Sequence, residues 1–207
     1  MTEGGDGVSP TIAIYCCGGI KKGPADANKV SWDDSARDDL LKVLFPIEVV
    51  FLSPEERGDD ISDAFTVFGR DHYQISVCDY VVADLRQRRG IGVGIELLSA
   101  KWFGKPTISV APRQSHYRRA EVHCLGGKVV DFTHPHLFGV SDAIVDDFAE
   151  AGRWIKRDIE SRNPVKGRAI VAEAIEEYKK RQFGRDEPMV EALKKLEVAR
   201  EGEPSIV

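Results

Sequence analysis

The chain has 207 residues, of which 42% are hydrophobic and 30% are charged, and its formal net charge is −5. Its Lys and Arg residues are scattered, so it lacks the basic patch of a nucleic-acid-binding protein. No stretch approaches the roughly 18 apolar residues of a membrane span, and residues 1–10 (MTEGGDGVSP) carry no secretion signal. We therefore expect a cytoplasmic protein that binds a small polar ligand, with a flexible segment over residues 1–10.

The four cysteines, at positions 16, 17, 78 and 124, show no C-x-x-C spacing and lie mostly in apolar runs. Free thiols in such runs behave as small buried hydrophobic groups. We therefore expect neither a disulfide nor a cysteine metal site.

Five apolar runs of strand length are separated by segments of helical or loop character. They cover residues 11–17 (TIAIYCC), 47–52 (IEVVFL), 80–85 (YVVADL), 107–111 (TISVA) and 128–132 (KVVDF). Nearly continuous apolar character is typical of strands that helices cover on both faces. The pattern predicts an α/β fold: a doubly wound, flavodoxin- or Rossmann-like, five-stranded parallel sheet with helices on both faces.

Helices are predicted between the strands over residues 31–44, 61–77, 94–103 and 142–160. Beyond residue 163 the composition shifts to Ala, Glu, Lys and Arg, and apolar residues at steps of three and four predict an amphipathic helix over 170–178. A second short helix is predicted over 189–200. We therefore divide the chain into a catalytic domain, residues 11–162, and a helical extension, residues 163–207.

The first strand leads into a glycine-rich turn, CGGIKKG (residues 17–23). In an open parallel sheet the ligand lies outside the carboxyl ends of the strands, so this turn is a candidate binding segment. Its glycines let backbone amides approach a ligand, and its lysines offer charge to an anion. From the residues alone, a tight turn with solvated lysines accounts for the segment equally well.

The third strand is followed by RQRRGIGVGIE (residues 86–96), where three glycines lead into the helix that carries Glu96. A carboxylate at a helix start lies near the positive end of the helix dipole, which favours the ionised, nucleophilic form. A capping acid is the alternative interpretation, and for an arbitrary Glu it is the commoner one.

These segments fall in one order along the chain: IYCCGGIK (14–21), Asp71, CDYVVAD (78–84), GVGIEL (92–97) and GKP (104–106). Together they resemble the nucleoside 2'-deoxyribosyltransferase superfamily. The likeness is closest to the 2'-deoxynucleoside 5'-phosphate N-hydrolases, whose pattern has a Tyr, a C-G-S-I-R-like turn, an R/Q-D pair, a D-V-V-V-A strand and G-V-G-Y-E-L. The resemblance covers residues 11–113.

The resemblance implies that Glu96 attacks C1' and holds the sugar as a covalent ester, with retention at C1'. It implies that Asp71 serves the departing base as an acid and that Tyr15 orients the Glu96 carboxylate. Without the resemblance, Asp71 fits a solvated helix face and Tyr15 fits the core. The implied binding residues in the two turns are Gly18, Gly19, Ile20, Lys21, Gly92 and Gly94.

Two positions depart from the family pattern. Gly19 stands where the phosphate hydrolases have Ser, and six residues before the nucleophile Gly90, or Arg89 with a shifted gap, stands where the family has Ser or Asp. Arg88, Arg89 and Lys21 carry charge that could replace the missing hydroxyls at a substrate phosphate. A solvated basic loop is the alternative.

Two polar segments follow later strands, RQSHYRR (113–119) and THPH (133–136). The relatives complete each site with a polar residue of the neighbouring subunit, so the resemblance implies a homodimer or higher homo-oligomer in which Ser115, His116 or Arg118 reaches across. His134 and His136 have no carboxylate or Cys at ligand spacing, so we expect no metal and no cofactor.

The sequence thus predicts hydrolysis of the N-glycosidic bond of a nucleoside or deoxynucleoside 5'-monophosphate through a glycosyl-Glu96 intermediate. A deoxyribosyltransferase that exchanges bases shares the first half of this mechanism and is the near alternative. A nucleotide-binding sensor on the same fold is the third, and the presence of both Asp71 and Glu96 counts against it. The expected ligand in each case is a nucleoside or nucleotide.

Overall fold

A computed structural model describes residues 10–201 other than 22, 27 and 125, with side chains as far as residue 197. The expectation for residues 1–10 therefore lies, except at Pro10, outside the described residues. Within the described part of the chain, no helix has the length and apolar composition needed to span a bilayer.

The described residues form seven strands. They are β1 (Thr11–Cys17), β2 (Glu48–Leu52), β3 (Tyr80–Asp84), β4 (Thr107–Val110), β5 (Arg118–Cys124), β6 (Gly127–Thr133) and β7 (Ala143–Val145). Five of them form one parallel sheet in the order β2-β1-β3-β4-β7, with Ile14 opposite Phe51 of β2 and Tyr80 of β3. The predicted α/β fold with a five-stranded parallel sheet is confirmed.

Helices connect the strands. They are α1 (Asp34–Leu44), α2 (Ala64–Val77), α3 (Ile91–Trp102), α4 (Pro135–Val140) and α5 (Phe148–Ser161), followed by α6 (Ile170–Arg181) and α7 (Glu187–Glu201). Asp33, Asp63 and Asp147 begin α1, α2 and α5 because each side chain accepts a bond from a free amide of the first turn.

The sheet has an apolar core on each face, and β1 contributes to both. Ile14 and Cys16 pack with residues of α1 and α5, whereas Tyr15 and Cys17 pack with residues of α2 and α3. This alternation follows from the period of two along a strand. As a result, Tyr15 and Cys17 face the helix that carries Glu96.

The predicted fifth strand, residues 128–132, is wrong as a member of the main sheet. It belongs to β6, which pairs antiparallel with β5 in a separate hairpin, and most of its residues are exposed. The fifth strand of the main sheet is β7, inside the segment predicted as the helix over 142–160. β7 is only three residues long, so its apolar pattern is too short to separate from the helix that follows.

Among the described residues, those up to Arg168 form one compact unit and those from Ala169 form a second. The second unit consists of α6, a 3-10 turn (Phe183–Arg185) and α7. Tyr178 of α6 donates a hydrogen bond to Asp186 at 2.7 Å, and its ring lies against Phe183. Both helices predicted for the extension are therefore present.

A buried ion pair ties α3 to the start of β4. The side chains of Lys101 and Asp142 are both buried and in direct contact, and the same carboxylate accepts the amide of Thr107 at 2.7 Å. Its second oxygen accepts the amide of Lys166 at 2.7 Å. Asp142 therefore fixes the position of the last turn of α3 relative to the sheet.

We expect Asp142→Ala to lower the free energy of unfolding by about 3–5 kcal/mol, because the Lys101 ammonium stays buried without its partner. The measurement is urea unfolding of the full chain. Asp39→Ala is the control, since Asp39 forms only an exposed ion pair with Lys42 and should cost less than about 1 kcal/mol. An equal loss in both variants would contradict the prediction.

Candidate active site

The candidate site lies where the strand order reverses. From β1 the chain goes outward to β2, and β3 then lies on the other side of β1, so the crevice between the ends of β1 and β3 is a topological switch point. Open α/β sheets bind ligands in this crevice. The segments that follow the two strands, Gly18–Lys21 and Arg86–Gly90, are those selected from the sequence.

Glu96 lies in the second turn of α3, not at its start. The helix begins at Ile91, three residues earlier than predicted, and Gly90 is its N-cap. Glu96 is therefore not a capping acid, and the dipole effect expected from the sequence has largely decayed at this position. Burial raises the pKa of Glu96, Asp71 adds to the rise, and the Cys17 thiol and the Tyr15 hydroxyl oppose it.

Tyr15 and Glu96 present buried polar atoms to the same space. Tyr15 Oη and Glu96 Oε2 are both buried, and neither has a hydrogen-bond partner among the described residues. Burial raises the pKa of Tyr15 far above its ordinary value, with the Glu96 carboxylate as the next cause, so the two groups are electrostatic neighbours. Unpartnered buried polar atoms are costly and are typical of sites completed by a ligand or water.

Gly92 and Gly94 lie within the first turns of α3, and only Gly92 is beside the Glu96 carboxylate. A Cβ atom at Gly92 would lie 3.8 Å from Glu96 Oε1, and one at Gly94 would meet nothing within 4 Å. A larger side chain at the exposed Gly92 would therefore lie against the carboxylate.

Asp71 lies on α2 and belongs to a network with two arginines. Its Oδ1 accepts a hydrogen bond from Arg57 Nη1 at 3.0 Å, and Arg70 Nη1 lies 3.6 Å away. Burial raises the pKa of Asp71, while Arg57 and Arg70 oppose the rise. Asp71 is thus not on a solvated face, and its negative charge raises the pKa of Glu96.

Arg89 is not a free cation. Its side chain is 2% exposed, and Nη2 lies 2.8 Å from the buried carboxylate of Asp84. Its Nε and Nη1 donate to the carbonyl oxygens of Asp84 and Val30, each at 2.6 Å. The Arg89 guanidinium is therefore used inside the fold, which counts against the expectation that it offers charge to a substrate.

Gly18 and Gly19 are required by close packing. A Cβ atom on Gly18 would lie 3.1 Å from the Trp32 ring, whose Nε1 donates to the Cys17 carbonyl at 3.0 Å. A Cβ atom on Gly19 would overlap Nη1 of Arg89 and lie 3.2 Å from the Val30 carbonyl oxygen. The Arg89 guanidinium therefore occupies the space that a side chain at position 19 would need.

The remaining residues of the two turns differ in their freedom. Ile20 is half-buried and its carbonyl accepts Lys29 Nζ at 2.7 Å, while the amide of Lys21 donates to Glu55. Lys21 and Arg88 are exposed, and neither side chain forms an ion pair with a described residue. They are the cations of these turns that a ligand could use. Lys22 lies outside the described residues.

Ser115 and His116 lie in the loop before β5. Ser115 Oγ accepts the amide of Tyr117, and the His116 ring contacts the Tyr117 ring edge to face. The Tyr117 hydroxyl accepts the Arg89 amide at 2.8 Å, so this loop is linked to the segment before α3 within one chain. Arg118 pairs with Asp146 at 2.6 Å.

A separate polar cavity of about 360 Å³ lies along this loop and β6. It is lined by Arg113, Gln114, Arg118, Arg119, Ala120, Asp131, Phe132 and Thr133. His116, His134 and His136 form a row of rings with centroids 6.4 and 5.7 Å apart. Among the described residues no group of three or more His, Cys, Asp or Glu side chains is arranged to hold a metal ion.

Two residues of the site were not predicted from the sequence. Arg57 follows β2 and donates a hydrogen bond to Asp71. His72 is the residue after Asp71, and its charge lowers the pKa of Glu96. The signal for His72 was its position beside the candidate acid. Arg57 had no comparable signal, because its partner is 14 residues away in the sequence.

Neither a protein-family model nor a curated protein matches the chain. Among solved structures it is similar to a 2-deoxyribosyltransferase from Leishmania mexicana, with a TM-score of 0.48 and 20% identity over 73% of this chain and 99% of that one. It is also similar to a 2-deoxyribosyltransferase from Bacillus psychrosaccharolyticus, with a TM-score of 0.41 and 18% identity over 75% and 98% of the two chains. At these identities a functional conclusion has to rest on the side chains of the site.

We expect a Gly19→Ala and Arg89→Ala double-mutant cycle to be strongly non-additive. Arg89→Ala should cost about 3 kcal/mol of unfolding free energy, because a buried partner of Asp84 is lost. Gly19→Ala should be destabilising because the new methyl group displaces the Arg89 guanidinium. In the double variant the overlap with the guanidinium no longer exists and only the tight contacts with Lys29 Cε and the Val30 carbonyl oxygen remain, so Gly19→Ala should cost clearly less in the Arg89→Ala background than in wild type.

Urea unfolding of the four proteins measures this coupling. Gly139→Ala is the matched control for adding a methyl group, because a Cβ atom there meets nothing within 4 Å. Additive losses in the double variant would show that Gly19 and Arg89 act independently.

Proposed function

We propose that this protein cleaves the N-glycosidic bond of a nucleoside or deoxynucleoside 5'-monophosphate, with Glu96 as nucleophile. The observation that carries the proposal is the pairing of two carboxyl groups at the switch point of the sheet. Glu96 has a buried, unpartnered oxygen beside the Tyr15 hydroxyl, and Asp71 has a raised pKa and acts on Glu96. Two acids in different environments are the requirement for glycoside cleavage with a covalent intermediate.

In the proposed first step, the Glu96 carboxylate attacks C1' and the bond from C1' to the base breaks. Burial leaves the ionised carboxylate poorly solvated, so forming an ester removes a charge that the site stabilises weakly. Asp71 gives its proton to the departing base, and its raised pKa supports this role because it favours the protonated form that an acid needs. Tyr15, on β1, orients the Glu96 carboxylate from the side of the sheet.

In the proposed second step, water attacks C1', the ester bond to Glu96 breaks, and the sugar phosphate leaves with its original configuration. Lys21 and Arg88 are the groups that we assign to the 5'-phosphate, together with the backbone amides of the Gly18-Gly19 turn. Arg89 contributes indirectly, because it holds the segment between β3 and α3 in place.

We expect free base to be released from 5'-monophosphates by the wild-type chain and not by Glu96→Ala. Asp71→Asn should lower the rate about 10²- to 10⁴-fold, the usual contribution of an acid-base group. The measurement is base release from a panel of ribo- and deoxyribonucleosides and their 5'-monophosphates, with Glu160→Ala as the exposed control.

A 2'-fluoro substrate should add its sugar mass to Glu96, since the fluorine slows breakdown of the ester. Base release that persists in Glu96→Ala would remove Glu96 from the mechanism. No release from any substrate, with or without an acceptor base, would favour a binding protein. Release only with an acceptor base would identify a transferase.

We also propose that two copies of the chain associate through α2 and α3. On α3, four apolar residues at steps of four, three and four are exposed: Ile91 at 83%, Ile95 at 40%, Leu98 at 46% and Trp102 at 62%. The neighbouring α2 exposes Phe65, Phe68, Tyr73 and Val77. An apolar surface of this extent is unusual on a monomer. The same two helices carry Asp71 and Glu96, so a second copy would lie close to the site.

We expect the wild-type chain to have twice the monomer mass of 23.0 kDa in light scattering, and Ile95→Asp/Leu98→Asp to have the monomer mass. Carboxylates in the centre of an apolar interface lose their hydration without gaining partners. Val130→Asp, on the exposed face of the β5–β6 hairpin, is the control and should leave the mass unchanged. A monomeric wild-type chain would contradict this assignment.

A further inference from the structure

The polar cavity of about 360 Å³ along the β5–β6 hairpin shares no lining residue with Gly18–Lys21 or Arg86–Gly90 of the candidate active site. Arg113, Arg118 and Arg119 contribute to its lining. The chain as a whole carries a formal net charge of −5, so three guanidinium groups around one cavity are a local exception. The volume falls in the range of small-molecule sites, which begins at roughly 300 Å³. The cavity therefore has the size and the charge to hold a small anion.

The three arginines keep donors that the fold does not use. Arg118 is held in place because its Nη1 donates to the Ala111 carbonyl oxygen at 2.9 Å and to Asp146 at 2.6 Å, while its Nε and Nη2 have no partner among the described residues. Arg119 is exposed, and its side chain forms no ion pair or hydrogen bond within the described part of the chain. Arg113 Nε lies 3.9 Å from Asp146, at the limit of an ion pair. One fixed guanidinium and two adjustable ones thus have donors left for a ligand.

Two residues of the lining keep an unfavourable backbone conformation. Gln114 has a φ of 68° and Asp131 a φ of 50°, in the left-handed region that favours glycine. Gln114 is the third residue of a turn that the amide of Ser115 closes on the carbonyl oxygen of Pro112 at 3.1 Å, a position where glycine is free of strain. Residues strained in this way concentrate at ligand-binding sites. The side chains of Gln114 and Asp131 bond to no described residue, so the fold itself does not use them.

The hairpin ladder is interrupted beside the cavity. β5 and β6 pair in one register along their length except at Ala120 and Asp131, and both of these residues line the cavity. Like a bulge, a local break of this kind re-aims side chains, and bulges are over-represented beside active sites. The interrupted ladder, the strained backbone and the arginines therefore meet at one place.

We propose that this cavity binds a small phosphate monoester of the sugar phosphate class, at a second site distinct from the crevice between β1 and β3. A phosphate group has three terminal oxygens and accepts bonds from more than one guanidinium at once, whereas a carboxylate has only two oxygens. Gln114 and Asp131 lie in the same lining and are suited to the hydroxyl groups of a sugar. Asp131 repels an anion but accepts a bond from a hydroxyl group, which favours a sugar phosphate over inorganic phosphate.

The test is isothermal titration of ribose 5-phosphate into the full chain carrying Lys21→Ala and Arg88→Ala. These two substitutions remove the cations assigned to the 5'-phosphate at the candidate active site, so that binding there is weakened. We expect saturable binding of one ribose 5-phosphate per chain. Ribose, which lacks the phosphate group, should not bind.

Adding Arg113→Ala and Arg119→Ala to this chain should weaken the binding of ribose 5-phosphate by about 100-fold, because each charge-assisted hydrogen bond contributes roughly a factor of ten or more. The matched control adds Arg153→Ala and Arg157→Ala instead. It removes the same charge from two exposed positions of α5 and should leave the affinity unchanged.

Gln114→Gly distinguishes a binding role from a structural one. Glycine relieves the left-handed strain at position 114, so the Tm of thermal unfolding should not fall. The affinity for ribose 5-phosphate should nevertheless fall by about fivefold, the contribution of one neutral hydrogen bond. A residue with a merely structural role would give a lower Tm and the same affinity.

Binding that survives Arg113→Ala and Arg119→Ala, an equal loss in the α5 control, or no binding at millimolar ribose 5-phosphate would each overturn the assignment of this cavity. Equal binding of ribose would overturn the assignment of a phosphate ligand. These outcomes are independent of the proposed function, because base release is measured on a different site with different variants.

Discussion

Asp84 is a fully buried carboxylate at the end of β3, and its need for positive partners determines the geometry of the site. Arg86 and Arg89 provide them, at 3.0 and 2.8 Å, and both belong to the segment between β3 and α3. A buried ion cannot lose its partner cheaply, so this segment has little freedom. Arg89 also binds the Val30 carbonyl, and its amide is held by Tyr117. The start of α3, and hence the position of Glu96, follows from this set of contacts.

The two candidate catalytic carboxyl groups differ in what surrounds them. Glu96 has two neutral neighbours, Tyr15 and Cys17; burial is the largest influence on its pKa, and the charge of Asp71 adds to the rise. Asp71 is also partly buried, but it has two arginines on one oxygen. Burial thus disfavours the charged form of both groups, and Asp71 has arginines that offset part of this effect. This difference in environment is the basis of the roles proposed for Glu96 as nucleophile and for Asp71 as acid.

The sequence predicted the strands at the centre of the sheet because a continuous apolar run of five to seven residues, bounded by polar segments, is typical of a buried strand. Residues 11–17 were predicted to the residue, and the runs at 47–52, 80–85 and 107–111 within one residue at one end. The edge strand β7 of the main sheet was missed because it has only three residues. The hairpin strand β6 was predicted in its place because it contains two adjacent valines that resemble a buried run. The side chains near Glu96 could be proposed from motif order, but the partners of Arg89 could not, since Val30 and Tyr117 are distant in the sequence.

The contact between Gly19 and Arg89 bears on the two places where the sequence departs from the pattern that it resembles: position 19, and position 90 or, with a shifted gap, position 89. Taken separately, each removes a hydroxyl from the expected phosphate site, and the neighbouring arginines look like replacements. In the structure the Arg89 guanidinium occupies the space that a side chain at position 19 would need, and it is bound to Asp84 and Val30. A serine at position 19 would therefore require Arg89 to move. Among the described residues of the two turns, the cationic side chains left exposed and without an ion pair are those of Lys21 and Arg88, so the 5'-phosphate of the proposed substrate would meet long, adjustable side chains rather than a rigid cradle of hydroxyl groups.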